Sequence, residues 1–259
     1  MKAVIIAAGM GRRMGEMTRD LPKCLAISWQ GMTLFDKQLE VLRSCGIRDI
    51  AVVRGYQGDK FRHPQIRYYW NRDYESNNIL ASLMCASDEL AGEVLVLYSD
   101  IWFEPAVVKQ LIASPHPVAI AVDKDWKKTY EGRTEHPLSE AEGVVLDAQG
   151  KVREIGKLGK TDVSGEFIGM MKLQGQGPGV FKGYYARAKR LYDGRAFQRA
   201  KVFRQAYLTD MLQELSDAGV AVQGEAIQGG WREIDTVQDF QSLLKHLEAK
   251  DPSLKGEQR

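Results

Sequence analysis

Two glycines and two arginines near the start of the chain have the types and spacing of a phosphate-binding loop. Gly9 and Gly11 are followed at once by Arg12 and Arg13, and Lys23 comes ten residues later. Glycines let the backbone turn tightly and approach a ligand, so that backbone N–H groups can surround phosphate oxygens while fixed cations neutralise their charge. A glycine turn with solvated arginines, closing an ordinary βα unit, is the alternative that the local spacing leaves open.

Two aspartates that are far apart in the sequence stand where predicted strands end. Asp100 follows the most apolar run of the chain, residues 93–98, and Asp235 stands at the boundary between a predicted strand and the final helix. Carboxylates at the carboxyl ends of strands in a parallel sheet are well placed to hold a divalent cation. Asp100 could equally form a turn or cap the next helix, which we predict around 105–112.

Composition and charge limit the class of protein. The 259 residues are 44% hydrophobic and 27% charged, with a formal net charge of +2. These values are typical of a globular protein and provide no global field for binding nucleic acid or an anionic membrane. Because no apolar stretch approaches the roughly 20 residues of a membrane span, we expect no membrane and no nucleic-acid partner, and a cytoplasmic location.

The cysteines argue against a thiol nucleophile. Cys24, Cys45 and Cys85 have no metal-ligand spacing, and we expect reduced, mostly buried thiols. The four histidines show no pattern that would supply a base for a catalytic cysteine.

The predicted elements alternate between strand and helix, as in a doubly wound, mostly parallel α/β sheet. The first 53 residues form a β–loop–α–β pattern, in which Gly46 ends the helix that starts near Thr33. Ligands of such sheets bind outside the carboxyl ends of the strands, so Gly55 and Tyr56, after the second strand, should line the same crevice as the glycine loop. We predict later strands at 66–70, 93–98, 118–123, 165–173 and 220–228, and helices at 79–90, 180–192, 207–218 and 237–248.

Two adjacent amides, Asn77 and Asn78, precede the predicted helix 79–90. Ser76 or Asn77 is the N-cap that the pattern favours. Amides at a helix N-terminus beside the crevice suit hydrogen bonding to a base or a phosphate, and capping alone explains them equally well.

Residues 124–165 depart from this pattern and predict a small antiparallel β insert, with a turn at 148–150 between two short strands. Trp126 and carboxylates such as Asp123 suit a cationic head group through cation–π contact. An aromatic side chain that covers its own hairpin is the alternative.

These motifs together resemble the nucleotidyltransferase family that activates sugar phosphates and choline phosphate. The family's opening signature is an apolar strand, then Gly-x-Gly-x-Arg, then Pro-Lys, which Gly9 to Arg13 and Pro22-Lys23 match. Agreement continues through Gly55-Tyr56, Asn77-Asn78, Asp100 and Glu233-Ile234-Asp235-Thr236-Val237-Gln238-Asp239. The similarity covers about residues 1–248, which we take as one domain, followed by a polar tail at 249–259.

The resemblance is closest to the small cytidylyltransferase branch, whose bacterial members act on phosphocholine or on phosphonates such as 2-aminoethylphosphonate. The segment 71–83 resembles that branch's Asn-Asn-aliphatic-x-Ser-Leu stretch, and 166–169 resembles the phosphonate-associated members. We also expect no long C-terminal domain after 233–239, unlike many sugar-phosphate members. Residues 14–21 depart from the usual Leu-x-Pro-Leu-Thr, although Thr18 remains.

The resemblance implies a Rossmann-like fold on a mixed, mostly parallel sheet and a reaction between CTP and a phosphate or phosphonate monoester. The acceptor's own oxyanion would attack the α-phosphorus and release pyrophosphate, so catalysis would consist of positioning and charge neutralisation. The implied cofactor is Mg²⁺, held by Asp100 and Asp235.

The same resemblance assigns the other site residues. Arg13 would stabilise the leaving phosphates, and Lys23 would bridge the α-phosphate and the incoming oxyanion. The expected nucleotide-binding residues are Ala8, Gly9, Gly11, Arg12, Gly55, Tyr56, Asn77 and Ser82. The expected acceptor-binding residues are Asp123, Trp126, Glu166 and Asp210. Their carboxylates would hold an ammonium group, or the hydroxyls of a sugar phosphate.

Three other classes compete with this interpretation. A sugar-1-phosphate nucleotidyltransferase that uses another nucleoside triphosphate shares the motifs, so only substrate turnover separates it. A non-catalytic nucleotide sensor on the same fold predicts the loss of a charged site residue, but Arg13, Lys23, Asp100 and Asp235 are all present. A dinucleotide-dependent dehydrogenase would need a third glycine where Met14 stands. The oligomeric state stays open, and a homodimer is the state to test first because dimers are the commonest oligomers.

Overall fold

The computed structural model describes residues 1–252. The strands are β1 (Lys2–Ala7), β2 (Ser28–Trp29), β3 (Met32–Thr33), β4 (Asp49–Arg54), β5 (Arg67–Trp70), β6 (Val94–Tyr98), β7 (Ile101–Phe103), β8 (Val118–Asp123), β9 (Glu142–Leu146), β10 (Val152–Lys157), β11 (Gly165–Leu173), β12 (Gln223–Ile227) and β13 (Trp231–Glu233). The α-helices are α1 (Lys23–Ala26), α2 (Leu34–Ser44), α3 (Ile79–Met84), α4 (Pro105–Ile112), α5 (Gly177–Tyr192), α6 (Leu208–Asp217) and α7 (Val237–Lys250).

Nine of these strands form one mixed sheet. β1 lies between β4 and β6 and is parallel to both, with β5 parallel to β4 on its far side. β11 runs antiparallel to β6, β8 and β9, while β12 is parallel to β8. Seven of the nine strands therefore point the same way, and β10 and β11 point the other way. This mixed, mostly parallel sheet with flanking helices confirms the predicted fold class.

The apolar run of β1 is continuous because both faces of the sheet are covered. Ala3, Ile5 and Ala7 pack in the core that lies under α2, α4 and α7. Val4 and Ile6 point to the opposite core, which contains residues of α3, α5 and α6. Successive side chains of a strand alternate between faces, so a strand with helices on both sides needs an apolar residue at every position.

The predicted antiparallel insert extends the main sheet rather than standing beside it. β9 and β10 pair as a hairpin, and β9 also pairs with the first two residues of β11. β11 is nine residues long, and its second half pairs with β6, which leaves its first half available to β9. The hairpin thereby brings the end of β10 to the edge of the same crevice that β6 reaches.

Several local predictions are corrected. The helix predicted at 79–90 ends at Met84 and is followed by a 3-10 turn, Ser87–Glu89. Its N-cap is Asn78, whose Oδ1 accepts a hydrogen bond from the Ile79 amide at 2.9 Å, and not Ser76 or Asn77.

The thiols also differ from expectation, because Cys24 is buried but Cys85 is exposed and Cys45 partly so. Burial raises the pKa of the Cys24 thiol to about 12, which makes it a poor nucleophile.

The end of the chain differs slightly as well. The final helix continues to Lys250, and most of the predicted polar tail, residues 253–259, lies outside the described residues. Within residues 1–252, no helix is long and apolar enough to span a bilayer.

Candidate active site

A cavity of about 380 Å³ opens at the carboxyl ends of β1 and β6. Its walls come from the glycine loop, the start of α3, the turn after β6, the hairpin β9–β10, the first half of β11 and the segment around β13. The lining includes most of the residues that the sequence singled out, namely Ala8, Gly9, Gly11, Arg12, Arg13, Lys23, Asn77, Ser82, Asp100, Glu166 and Asp235. The position matches the rule that open α/β sheets bind ligands beyond the carboxyl ends of their strands.

The glycine loop packs against the start of α1. Gly11 has a φ of 61°, and a Cβ added there would lie 3.0 Å from Cβ of Lys23 and 3.3 Å from Cγ2 of Thr18. Thr18 Oγ1 donates to the Gly11 carbonyl oxygen at 3.0 Å. Glycine is therefore needed at position 11 both for its backbone conformation and for the close approach of Lys23.

Gly55 and Tyr56 pack against the glycine loop on the side away from the cavity. The sequence predicted that they would line the crevice. The Tyr56 amide donates to the Ala8 carbonyl oxygen at 3.1 Å, and the Tyr56 hydroxyl donates to the carbonyl oxygen of Arg19. A Cβ at Gly55 would lie 2.7 Å from the same Ala8 oxygen. Because β4 is the neighbour of β1, the turn after β4 packs against the turn after β1 instead of facing the cavity.

Asn77 and Ser82 do line the cavity, and a buried residue that was not predicted from the sequence, Asn71, connects them. Nδ2 of Asn71 donates to Oδ1 of Asn77 at 2.8 Å and to Oγ of Ser82 at 2.9 Å. Nδ2 of Asn77 donates back to Oδ1 of Asn71 at 3.0 Å. This network fixes which groups Asn77 presents to the cavity.

Lys23 lies between the two aspartates. Its Nζ is 2.8 Å from Oδ2 of Asp100 and 2.7 Å from Oδ1 of Asp235, and Nη2 of Arg13 is 2.7 Å from Oδ2 of Asp235. The short antiparallel pair β7–β13, which the sequence did not predict, brings the two aspartates together: Ile101 stands opposite Glu233. The Ile234 amide also donates to the Asp100 carbonyl oxygen at 2.9 Å.

This arrangement shifts the ionisation of both partners. Burial alone would lower the pKa of Lys23, but the charges of Asp100 and Asp235 raise it above its ordinary value. Burial alone would raise the pKa of Asp235, but the charge of Lys23, the hydrogen bond with His136 and the charge of Arg13 hold it well below its usual range. Lys23 is therefore cationic and Asp235 anionic at neutral pH.

Two further charged or ionisable groups beside Asp235 were not among the predicted site residues. His136, from the insert, places Nδ1 3.0 Å from Oδ2 of Asp235 and 3.0 Å from Nη1 of Arg13. Glu233 Oε2 is 3.6 Å from Nε2 of His136. Glu233 lies within the segment 233–239 that resembles the family, and this resemblance could have identified it as a site residue. Nothing near His136 in the sequence distinguishes it from a surface histidine.

Arg133 holds the insert against the first turn of α7. Its guanidinium contacts both carboxylate oxygens of Asp239, at 2.5 and 3.1 Å, and Oε2 of Glu233 at 3.1 Å. Asp239 Oδ2 also accepts hydrogen bonds from the amides of Asp235 and Thr236, at 3.0 and 2.9 Å. One carboxylate thus caps the helix, positions Asp235 and anchors the insert.

The oxygen donors at this centre fit a hard divalent cation such as Mg²⁺. Oδ1 of Asp100 is buried and has no hydrogen-bond partner. Ligand atoms of His136, Glu233 and Asp235 all lie within 4.8 Å of one another. Carboxylate oxygens are the protein ligands that Mg²⁺ prefers, and it commonly uses one or two of them together with phosphate oxygens.

Three of the four predicted acceptor residues do not line the cavity, although all of them lie within residues 1–252. Asp123 is buried and accepts hydrogen bonds from Nε1 of Trp231 at 2.7 Å and from the Gly229 amide at 2.9 Å. Trp126 is buried against Tyr130, with ring centroids 5.8 Å apart. Asp210 caps α6 by accepting from the Tyr207 amide at 2.8 Å. These three side chains therefore contact other residues of the protein and do not face the cavity.

The fourth residue, Glu166, does line the cavity, together with residues that were not predicted from the sequence. Tyr98, Glu140, Glu142, Lys157 and Tyr207 complete this side of the wall. Burial raises the pKa of Glu142 to about 7 and that of Glu166 to about 8. We refer to the group Tyr98, Glu140, Glu142, Lys157, Glu166 and Tyr207 as the acidic wall.

The family of the chain follows from comparison with known sequences. Residues 3–163 match the sequence profile of the MobA-like NTP transferase domain. The chain therefore belongs to this family of nucleotidyltransferases, which confirms the resemblance recognised in the sequence.

Curated relatives and solved structures agree with this membership. A CTP:phosphoglutamine cytidylyltransferase from Campylobacter jejuni is 30% identical over 260 residues, which span 95% of this chain and 100% of that protein. A 2-aminoethylphosphonate cytidylyltransferase from Lancefieldella rimae is 29% identical over 163 residues, 61% of each chain. The structure of a CTP:phosphocholine cytidylyltransferase from Streptococcus pneumoniae has a TM-score of 0.72 at 22% identity, covering 95% of this chain and 98% of that one, so the fold is shared.

Proposed function

We propose that this protein is a cytidylyltransferase that transfers CMP from CTP to a small phosphate or phosphonate acceptor and releases pyrophosphate. The observation that carries the proposal is the position of Lys23, which lies between Asp100 and Asp235 beside a glycine loop at the carboxyl ends of β1 and β6. The choice of CTP draws support from the relatives named above, which are cytidylyltransferases.

Different charged residues act on the α-phosphate with its attacking oxygen and on the departing pyrophosphate. The acceptor oxygen attacks the α-phosphorus while the bond from that phosphorus to the bridging oxygen of pyrophosphate breaks, so no covalent enzyme intermediate is needed. Lys23 neutralises charge at the α-phosphate and orients the attacking oxygen. Arg13, which lines the cavity and has a side chain 53% exposed, stabilises the departing pyrophosphate. Backbone N–H groups of the glycine loop hold the triphosphate.

Asp100 and Asp235 would hold Mg²⁺, with Glu233 beside them. When bound, the ion would supply Lewis-acid stabilisation of charge on the phosphate oxygens. His136 and Arg13 keep the Asp235 carboxylate oriented, since both contact its Oδ2. Asn77 and Ser82, which Asn71 holds in place, are the residues we assign to the ribose and base.

The acidic wall supports an acceptor that carries a cationic group. Glu142 is partly buried and accepts a hydrogen bond from the Tyr98 hydroxyl at 3.3 Å, and Glu166 is fully buried in the same cavity wall. An ammonium group would compensate the buried carboxylates, and an aromatic face adds cation–π attraction.

A pyrophosphate-release screen tests the proposal. The purified protein is incubated with Mg²⁺, each of the common nucleoside triphosphates, and acceptors that include phosphocholine, 2-aminoethylphosphonate and glucose 1-phosphate. We expect release that requires CTP together with an amine-bearing phosphate or phosphonate. The variant Lys23→Met is the control for contaminating activity. Release with a sugar 1-phosphate alone, or with another triphosphate in place of CTP, would contradict the proposal.

A further inference from the structure

The acidic wall contains a cation as well as carboxylates. Lys157, the last residue of β10, stands opposite Glu142, the first residue of β9, and both line the cavity. Side chains directly opposite each other in an antiparallel pair have Cβ atoms roughly 5 Å apart. An amine and a carboxylate are therefore presented to the same part of the cavity from neighbouring positions.

The two buried glutamates of the acidic wall, Glu142 and Glu166, can accept further hydrogen bonds. Glu166 is 3% exposed; its Oε1 accepts from the Tyr130 hydroxyl at 2.5 Å, while its Oε2 has no hydrogen-bond partner. Glu142 accepts from Thr209 Oγ1 at 3.0 Å and from the Tyr98 hydroxyl. A buried carboxylate oxygen without a donor is costly unless a ligand supplies one, and an ammonium group is the strongest such donor.

The cation of the acidic wall, the Lys157 amine, is held by neighbouring side chains at the edge of the cavity. Nζ of Lys157 lies 2.6 Å from Oε2 of Glu140 and 5.1 Å from the ring centroid of Tyr207. The side chains of Lys157 and Glu140 are 38% and 40% exposed, so this ion pair is open to solvent and exchangeable. An ammonium has three N–H donors, and Glu140 uses one of them.

Lys157 is also separated from the other cations of the cavity. Arg12, Arg13 and Lys23 belong to the glycine loop and the start of α1, where the triphosphate is expected. Among the lining residues within 1–252, Lys157 is the one lysine or arginine on the acceptor side. An acceptor whose head group is only cationic, such as choline or ethanolamine, would make no use of it and would be repelled by it.

We infer that the acceptor is an α-amino acid with a phosphate or phosphonate on its side chain, whose carboxylate is bound by Lys157 and whose ammonium is bound by Glu142 and Glu166. An α-amino acid carries both charges on one carbon, so it needs a cation and a carboxylate in adjacent positions, as β9 and β10 provide. The inference rests on the proposed function. It makes Lys157 the residue that separates amino-acid acceptors from simple amines.

Matched acceptors that differ only in the carboxylate test this inference. 2-Amino-3-phosphonopropionate is compared with 2-aminoethylphosphonate, and 2-amino-4-phosphonobutyrate with 3-aminopropylphosphonate, at saturating CTP. O-Phosphoserine and phosphoethanolamine form a third pair. The wild-type protein should favour the carboxylate-bearing member of at least one pair by about tenfold or more in kcat/KM, the size typical of a charged hydrogen bond.

The variant Lys157→Gln should abolish this preference, chiefly by raising the KM of the carboxylate-bearing member. The matched control is Lys160→Gln, because Lys160 pairs with Glu154 at 2.5 Å and is not among the residues that line the cavity within 1–252. The control should keep the wild-type preference, and thermal unfolding of both variants establishes that they are folded.

The outcomes distinguish this inference from the proposed function. Equal use of both members by the wild type, turnover of phosphocholine or simple amines alone, or a preference that survives Lys157→Gln would overturn the inference and leave the cytidylyltransferase proposal standing. Absence of CTP-dependent pyrophosphate release with every acceptor would contradict the proposed function, and the inference with it.

Discussion

Nζ of Lys23 lies 2.7 Å from Oδ1 of Asp235, although 212 residues separate the two in the sequence. The same amine is 2.8 Å from Oδ2 of Asp100. Lys23 belongs to the first helix after the glycine loop, whereas the aspartates follow β6 and β13. One amine thus joins three distant segments of the chain.

Lys23→Met should reduce the rate of pyrophosphate release by about 10²–10³, the effect typical of losing one preorganised charge at a developing anion. Steady-state kinetics at saturating CTP measure this loss. The exposed residue Lys60 provides the control variant Lys60→Met, which removes a lysine outside the cavity. Near-wild-type turnover of Lys23→Met would remove Lys23 from the mechanism.

Asp100→Ala and Asp235→Ala should both lose turnover by orders of magnitude, but they should differ in stability. The Asp235 side chain is 3% exposed and contacts Lys23, Arg13 and His136. Removing it takes one of two carboxylate partners from the buried Lys23 amine, which costs up to about 3 kcal/mol, the lower end for a broken buried ion pair.

Urea unfolding and Mn²⁺ titration followed by electron paramagnetic resonance test these two variants together. We expect weaker Mn²⁺ binding in both, and a lower unfolding midpoint for Asp235→Ala than for Asp100→Ala. The Asp100 side chain is 25% exposed and its charge is easier to replace by water. Unchanged Mn²⁺ affinity in both variants would exclude these aspartates as ligands.

Glu166→Gln should make the protein more stable at high pH. Burial raises the folded-state pKa of Glu166 from its ordinary 4.5 to about 8, so the folded state binds this proton more tightly than the unfolded state. The cost of ionisation is absent below pH 4.5, grows between pH 4.5 and 8, and is complete above pH 8, at about 1.4 kcal/mol per unit of pKa difference. Glutamine never ionises and keeps an oxygen that can accept from Tyr130.

Melting temperatures of Glu166→Gln and the wild type at pH 5 and pH 9 provide the measurement. We expect similar values at pH 5 and a higher value for the variant at pH 9, accompanied by loss of turnover of amine-bearing acceptors. The exposed residue Glu131 supplies the control Glu131→Gln. A variant no more stable than the wild type at pH 9 would contradict the assigned environment of Glu166.

Gly169→Ala should perturb the acidic wall more than Gly175→Ala does. Both glycines have positive φ, 77° and 55°, so both substitutions incur backbone strain of about 1–2 kcal/mol. A Cβ at Gly169 would also lie 2.5 Å from Cδ2 of Tyr98, whereas one at Gly175 would meet nothing within 4 Å. The clash adds roughly 1–3 kcal/mol.

Because Tyr98 lines the cavity, Gly169→Ala should also raise the KM for the acceptor, while Gly175→Ala should leave it unchanged. Urea unfolding and acceptor titration measure the two effects separately. Equal stability losses and equal acceptor KM values in the two variants would show that the position of the Tyr98 ring does not depend on Gly169.

The sequence by itself determined the fold class and the side of the cavity that we assign to the triphosphate. The residues that form this side lie close together in the chain, namely the apolar strand, Gly9, Gly11, Arg13 and Lys23. Their spacing alone therefore indicates a phosphate-binding loop. Alternation of strands and helices also predicted that Asp100 would stand at the carboxyl edge of the sheet, because this depends on strand order and not on details of packing.

Only the tertiary structure decided which residues form the side of the cavity that we assign to the acceptor. Asp123 stands at a strand end as Asp100 does, but Nε1 of Trp231, 108 residues away, binds its carboxylate. Glu142 and Lys157 resemble solvated hairpin charges until β9 pairs with β11 and carries them to the cavity. A charged residue looks the same in sequence whether its partner is water, a distant side chain or a substrate, and long-range pairing determines which of these it meets.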